Sequence, residues 1–197
     1  GRCTGCATAI PVRYPLVEVL TGLLTVAVIW RFGPGWQGLA AAVLTWGLVA
    51  LSVIDLQRKL LPDVLTLPLL WLGLLVNLDG LFAPLPDAVL GAVAGYGFLW
   101  LVYHLFLLAT GKEGMGYGDF KLLAAFGAWF GWTLVPQIIL LASLAGAVIG
   151  LSMIALRQQE RGAAVPFGPY LAIAGWIALL WGPELNALYL GQVGLLP

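Results

Sequence analysis

The sequence predicts an all-α membrane protein: a polytopic helical bundle of about seven transmembrane helices, N-terminus on the inner face and C-terminus outside. Three observations carry this. Of 197 residues, 61% are hydrophobic and only 9% charged, against about 45–50% and about 25% in soluble domains. A soluble domain of this length must still cover its surface with polar groups, so burial alone does not absorb the excess. The apolar residues also fall in charge-free runs near the roughly 20 residues that a bilayer core about 30 Å thick requires. Finally, the few Lys and Arg segregate to alternate loops. Nine Lys+Arg balance nine Asp+Glu, so no basic footprint exists for nucleic acid. Composition thus excludes a water-soluble globular domain, a disordered chain and a nucleic-acid binder.

The elements follow in order. Tyr14–Trp30 is a short span interrupted only by Glu18, and Phe32–Ile54 is a full one. Val64–Leu78 extends back through Pro62, since proline is tolerated at a helix start. Ala88–Gly111 is long enough for one pass. Leu122–Leu156 is too long, and Gly131 and Pro136 break it into a short helix near Lys121–Phe130 and a longer one near Thr133–Leu156. Gly162–Pro183 completes seven. Short connections make neighbours antiparallel. The inner loops then hold Arg2, Arg13, Arg58, Lys59, Lys112, Lys121, Arg157 and Arg161, and the outer side only Arg31. Asp79, Asp87 and Glu184 also fall outside. Trp30, Trp36, Trp132 and Trp181 lie near predicted interfaces, as aromatic belts do.

Ionisable groups at membrane depth are expensive, so each is a functional candidate. Asp55 ends the apolar run Leu48–Ile54, just before Arg58 and Lys59. Asp119 opens another apolar run, after the glycine-rich segment from Gly111 to Gly118. Both fall at the inner face. Two carboxylates that approach one another suit acid/base hydrolysis, because like charges at short range do not both ionise. Gly116 and Gly118 would let backbone or substrate come close, lacking Cβ and tolerating positive φ. The bland account of an aspartate at a helix end is a cap or a solvated loop residue; Asp63 after Pro62 and Asp87 after Pro86 fit it well. Glu18, about a turn inside the first helix, either pairs with an inner-face cation or joins the active cleft. His104 reads as a hydrogen-bonded packing residue, no second His being present. Pro166-Phe-Gly-Pro169 marks entry into a helix; its irregular backbone could also pair with an extended substrate.

Cys3 and Cys6 form a C-x-x-C, with no other cysteine. A disulfide scaffold is excluded. The start lacks both a signal-peptide pattern and an initiator Met, and reads as cut from something longer or processed.

Here the residues reach a known pattern. Gly116-Tyr117-Gly118-Asp119, followed by Phe120-Lys121-Leu122, resembles the Gly-x-Gly-Asp motif of bacterial prepilin peptidases, the type IV leader peptidases. The run Asp55-Leu-Gln-Arg-Lys-Leu-Leu-Pro62-Asp63, with Leu65-Thr66-Leu67-Pro68, is similar to that family's first aspartate motif. Pro166-Phe167-Gly168-Pro169 and Arg13-Tyr14-Pro15-Leu16-Val17-Glu18 are similar to further family segments. The resemblance runs from about residue 2 to residue 182.

The resemblance implies a multi-pass aspartyl protease of the bacterial inner membrane, N-terminus cytoplasmic and C-terminus periplasmic. It implies Asp55 and Asp119 as the catalytic pair, with Gly116, Gly118, Glu18, Asp63, Lys121, Pro166 and Gly168 in the motif or substrate-binding set. The implied partners are prepilins and pseudopilins, cleaved at the cytoplasmic membrane face, and the lipid bilayer. The peptidase step needs no cofactor. Methylation of the new N-terminus by S-adenosylmethionine is an implied second activity. Residues 1–13 read as the remnant of a cytoplasmic Cys-containing loop, and 14–197 as the peptidase domain. Members usually carry another helix and a first Cys pair upstream. Without that pair, Cys3 and Cys6 alone do not complete a four-ligand zinc site, which puts zinc and the methyl transfer in doubt. No feature assigns an oligomeric state. Two rivals stand beside this reading: a presenilin or signal-peptide-peptidase kind of protease, whose usual first motif is Tyr-Asp where this chain has Ile54-Asp55, and an ion- or proton-coupled transporter.

Overall fold

A computed structural model describes residues 5, 11–155 and 166–192. Among the described residues there are seven α-helices and no strand: α1 Arg13–Phe32, α2 Trp36–Arg58, α3 Asp63–Val76, α4 Leu85–Thr110, α5 Tyr117–Phe130, α6 Val135–Ala155 and α7 Gly168–Gln192. The polytopic helical bundle is as expected. Five spans are long and apolar enough to cross a membrane: Arg13–Phe32, Trp36–Arg58, Leu85–Thr110, Trp132–Met153 and Gly168–Tyr189. The other two helices, α3 and α5, have 14 residues each, about 21 Å at 1.5 Å per residue, short of the bilayer core.

The chain divides into two compact units, Gly1–Val49 and Ala50–Pro197. In the first, Gly33-Pro34-Gly35 separates α1 from α2, and Gly33 takes φ 77 as the C-cap of α1. This turn moves the start of α2 from the expected Phe32 to Trp36. Trp46 Nε1 donates to Thr25 Oγ1 at 2.9 Å, tying the two helices of that unit.

The second unit is built around α5. From Asp119 to Phe130 every residue of α5 except Lys121 is buried, packed against α3, α4 and α7. Missing side chains permit this. A Cβ on Gly91 of α4 would lie 2.5 Å from the Gly127 carbonyl oxygen, and one on Gly95 2.7 Å from that of Leu123. A Cβ on Gly127 would in turn meet the Gly91 carbonyl. Gly91 and Gly95 form a small-x-x-x-small stripe, the device by which helices approach closely in lipid. Gly73 of α3 makes room for Trp129, whose Nε1 donates to the Leu69 carbonyl at 2.8 Å.

The far end of α5 hangs from one side chain. Asn77, fully buried, donates to the carbonyls of Ala128 and Trp129, both at 2.9 Å. Its Oδ1 accepts from the amides of Phe82 and Ala83 at 2.9 and 3.1 Å. The last carbonyls of a helix have no partner within it, so Asn77 caps α5 from α3's C-terminal end.

Two element ends differ from expectation for chemical reasons. α5 starts at Tyr117, four residues early, so Gly118 and Asp119 belong to its first turn rather than to the preceding loop. α7 starts at Gly168 and runs through Pro183, which it accommodates internally; proline is tolerated inside membrane helices where neighbours re-satisfy the freed groups. Trp181 therefore lies mid-helix. It is half exposed, as is Trp132, and Trp30 and Trp36 are more so.

Candidate active site

Five chain segments converge at one end of the second unit: the end of α2, the connection to α3, the loop after α4, the start of α5 and the start of α7. They line a cleft of about 490 Å³, with Asp55, Asp63, Glu113, Asp119, Lys59 and Lys121 as its charged groups.

Asp55 lies on the last turns of α2 and is 5% exposed. Its Oδ2 accepts the Gly168 amide at 3.0 Å. Gly168 is the first residue of α7, where N–H groups lack intrahelical partners and the helix dipole favours an anion. Asp55 thus receives α7 from 113 residues away. A Cβ on Gly168 would lie 2.7 Å from that same oxygen, so only glycine fits without displacement.

Asp119 is the third residue of α5 and is 7% exposed. Its Oδ2 accepts the Gly116 amide at 3.2 Å, the acidic half of a capping box. Its Oδ1 is buried and accepts no hydrogen bond from the described residues. A cap uses one oxygen; the other is left bare. Buried polar atoms are normally satisfied, and an exception calls for a chemical reason.

The two glycines of the Gly-x-Gly segment differ. Neither has positive φ, which corrects that part of the expectation. Gly118 is glycine because of contact: a Cβ there would lie 2.6 Å from Leu61 Cβ and 3.0 Å from the Leu61 carbonyl. At Gly116, with φ −86 and ψ 153, the nearest atom would be 3.8 Å away.

At the cleft mouth, Lys121 Nζ donates to both oxygens of Asp63, at 2.6 and 2.7 Å. The bridge ties the N-terminal end of α3, where Asp63 is the first residue, to α5. Pro166 and Phe167 line the cleft beside Gly168. Glu18 is exposed on α1, in the other unit. His104 Nδ1 bonds the Trp100 carbonyl at 2.8 Å and its ring packs on Trp100, a packing role. Cys3 and Cys6 lie outside the described residues, as do Arg2, Arg157 and Arg161 of the basic inner set. Among the described residues, no group of three or more His, Cys, Asp or Glu is placed to hold a metal ion.

Sequence reasoning did not single out Leu61, Glu113 or Tyr117. Tyr117 lines the cleft half exposed, with Tyr103 and Phe120 each 5.3 Å away ring to ring. Its position between the two glycines was the available signal.

Residues 42–151, which include both aspartates, match the profile of the Type IV leader peptidase family. The chain belongs to the type IV leader peptidase family. Residues 1–32 match the Bacterial Peptidase A24 N-terminal domain. Among curated relatives, a prepilin leader peptidase/N-methyltransferase of Aeromonas salmonicida (strain A449) is 61% identical over 98% of this chain and 66% of its own length. Proteins of the same name from Pseudomonas aeruginosa and Legionella pneumophila are 60% and 47% identical, over 98% and 97% of this chain and 67% of each relative. The chain thus spans about two thirds of the length of these relatives. No solved structure matches it.

Proposed function

We propose that this chain is an aspartic endopeptidase that removes the leader peptide of prepilins and pseudopilins at the cytoplasmic face of the bacterial inner membrane. One observation carries the reading: Asp55 and Asp119 are buried in the same cleft, and the second leaves a buried oxygen bare. One carboxylate takes a proton from a water molecule, whose oxygen attacks the scissile carbonyl. The other carboxyl donates its proton toward the carbonyl oxygen. Collapse of the tetrahedral species passes a proton to the leaving amine and regenerates the pair. The two groups act and titrate as a unit, which gives activity a bell-shaped pH dependence. Backbone amides hold each carboxylate in place before substrate arrives. The cytoplasmic assignment is supported by the basic groups at this end: Lys59 and Lys121 on the cleft, and Lys112 just past the α4 C-cap.

The relatives' names carry a second activity, N-methylation, which would use S-adenosylmethionine as methyl donor. No described residue is assigned to that group, and the peptidase step above runs on this chain's own residues. For zinc, Cys3 and Cys6 supply half a tetrahedral ligand set.

The test is a purified prepilin incubated with the protein in detergent or liposomes, read by mass spectrometry. Loss of the leader is expected, and Asp55→Asn or Asp119→Asn should abolish it while the protein still inserts. Near-normal cleavage by Asp119→Asn overturns the reading. Ion-coupled flux with an uncut prepilin would indicate a transporter; cleavage of a transmembrane segment instead would indicate a presenilin-like protease. An added methyl on the product would establish the second activity.

A further inference from the structure

Leu61 touches both glycines that flank the two carboxylates. It lies in the four-residue connection between α2 and α3. Lys59 there adopts φ 53, with its amide on the Asp55 carbonyl at 2.8 Å, closing α2 with a left-handed residue. Pro62 follows as the extended N-cap of α3, at φ −72 and ψ 136. The backbone of Leu61 is therefore pinned on both sides. Its neighbour Leu60 is 60% exposed, while Leu61 is 5% exposed and turned inward.

What it meets is specific. The Cβ missing from Gly118 would fall 2.6 Å from Leu61 Cβ, and that missing from Gly168 3.0 Å from Leu61 Cδ2. Gly118 immediately precedes Asp119, and the amide of Gly168 holds Asp55. One leucine side chain therefore occupies the space left by two glycines 50 residues apart in sequence. It stands between the start of α5, with its carboxylate, and the Asp55–Gly168 pair.

We propose that Leu61 is a positioning residue that sets the separation of the Asp55 and Asp119 carboxyl groups. The inference rests on the peptidase reading above. In a close-packed interior the spacing of two elements follows the side chain between them, and a misplacement of about 1 Å at reacting groups costs about a hundredfold in rate. A leucine that served only the core would affect stability and leave the chemistry of folded molecules unchanged.

Cleavage of a prepilin by Leu61→Ala and Leu61→Met tests this, with rates normalised to folded protein. Leu61→Ala should lower kcat about tenfold or more, with KM within about threefold. The two limbs of its pH–rate profile should move apart, because carboxyls brought closer by the smaller side chain couple more strongly. Leu61→Met, of similar volume, should recover most of kcat and the original profile. Wild-type kcat and pH profile in Leu61→Ala would overturn the proposal. Asp119→Asn serves as the separate control: its retention of activity defeats the peptidase reading, whereas its inactivity beside an unaltered Leu61→Ala defeats only the role of Leu61.

Discussion

The amide of Gly168 donates to Oδ2 of Asp55 at 3.0 Å, joining the first residue of α7 to a carboxylate 113 residues earlier. The bond serves both ends: a helix start gains an acceptor, and the carboxylate gains a fixed orientation. Added bulk is not accommodated, because a Cβ at 168 would press on that oxygen at 2.7 Å and on Leu61 Cδ2 at 3.0 Å.

Gly168→Ala should therefore lower leader cleavage about tenfold or more without preventing membrane insertion. Rates on a purified prepilin, beside a detergent-solubilised yield comparison, check this. Wild-type turnover in Gly168→Ala would remove the assigned role of the bond.

Gly118→Ala and Gly116→Ala should differ in severity. The first drives a methyl into Leu61 Cβ and its carbonyl; the second meets nothing nearer than 3.8 Å, in a backbone region open to alanine. Activity should fall much further for Gly118→Ala. A side-by-side cleavage assay decides, and equal loss in both would refute the steric account.

Asn77→Ala should be the most destabilising polar substitution in the second unit. It deletes three buried hydrogen bonds and one part-buried one, and leaves the Ala128 and Trp129 carbonyls, with the Phe82 and Ala83 amides, to find other partners. At about 1–3 kcal/mol for each buried group left unsatisfied, the total loss should exceed about 3 kcal/mol. Thermal unfolding in detergent should show a large drop in Tm. Activity of the fraction still folded should change much less, since Asn77 lies at the opposite end of α5 from Asp119.

Breaking the Asp63–Lys121 bridge should cost little stability. Asp63 is 55% exposed and Lys121 24%, so solvent screening holds its worth below about 1 kcal/mol. Lys121→Ala should lower Tm only slightly. The exchanged pair Asp63→Lys with Lys121→Asp should recover part of any lost activity relative to either single reversal. No recovery would show that the bridge does not act as a pair.

The membrane class and the positions of both aspartates were legible because each rests on local chemistry: charge-free runs, and carboxylates where lipid gives no reason for them. The shortness of α3 and α5 was legible as well, but what surrounds α5 was not. An apolar run shows its hydrophobicity but not whether lipid or protein surrounds it, and α5 is surrounded by protein. Asn77 was hidden by its context. Asn77-Leu-Asp-Gly80 reads as ordinary turn chemistry, yet the side chain points inward to carbonyls more than 50 residues on. Leu61 was invisible for a related reason, as a leucine among leucines whose partners, Gly118 and Gly168, are distant. The glycine-rich motif was recognised, but at Gly118 its physical basis is close approach rather than left-handed backbone.

The lateness of Gly168 in the chain bears on biogenesis. A ribosome exposes Asp55 and then Asp119 well before it delivers the amide that orients the first of them. Until α7 docks, the nascent protein carries both carboxylates of the proposed site without the bond that orients Asp55. On the peptidase reading proposed above, docking of α7 arms the site, and a chain interrupted before Gly168 is expected to stay proteolytically silent.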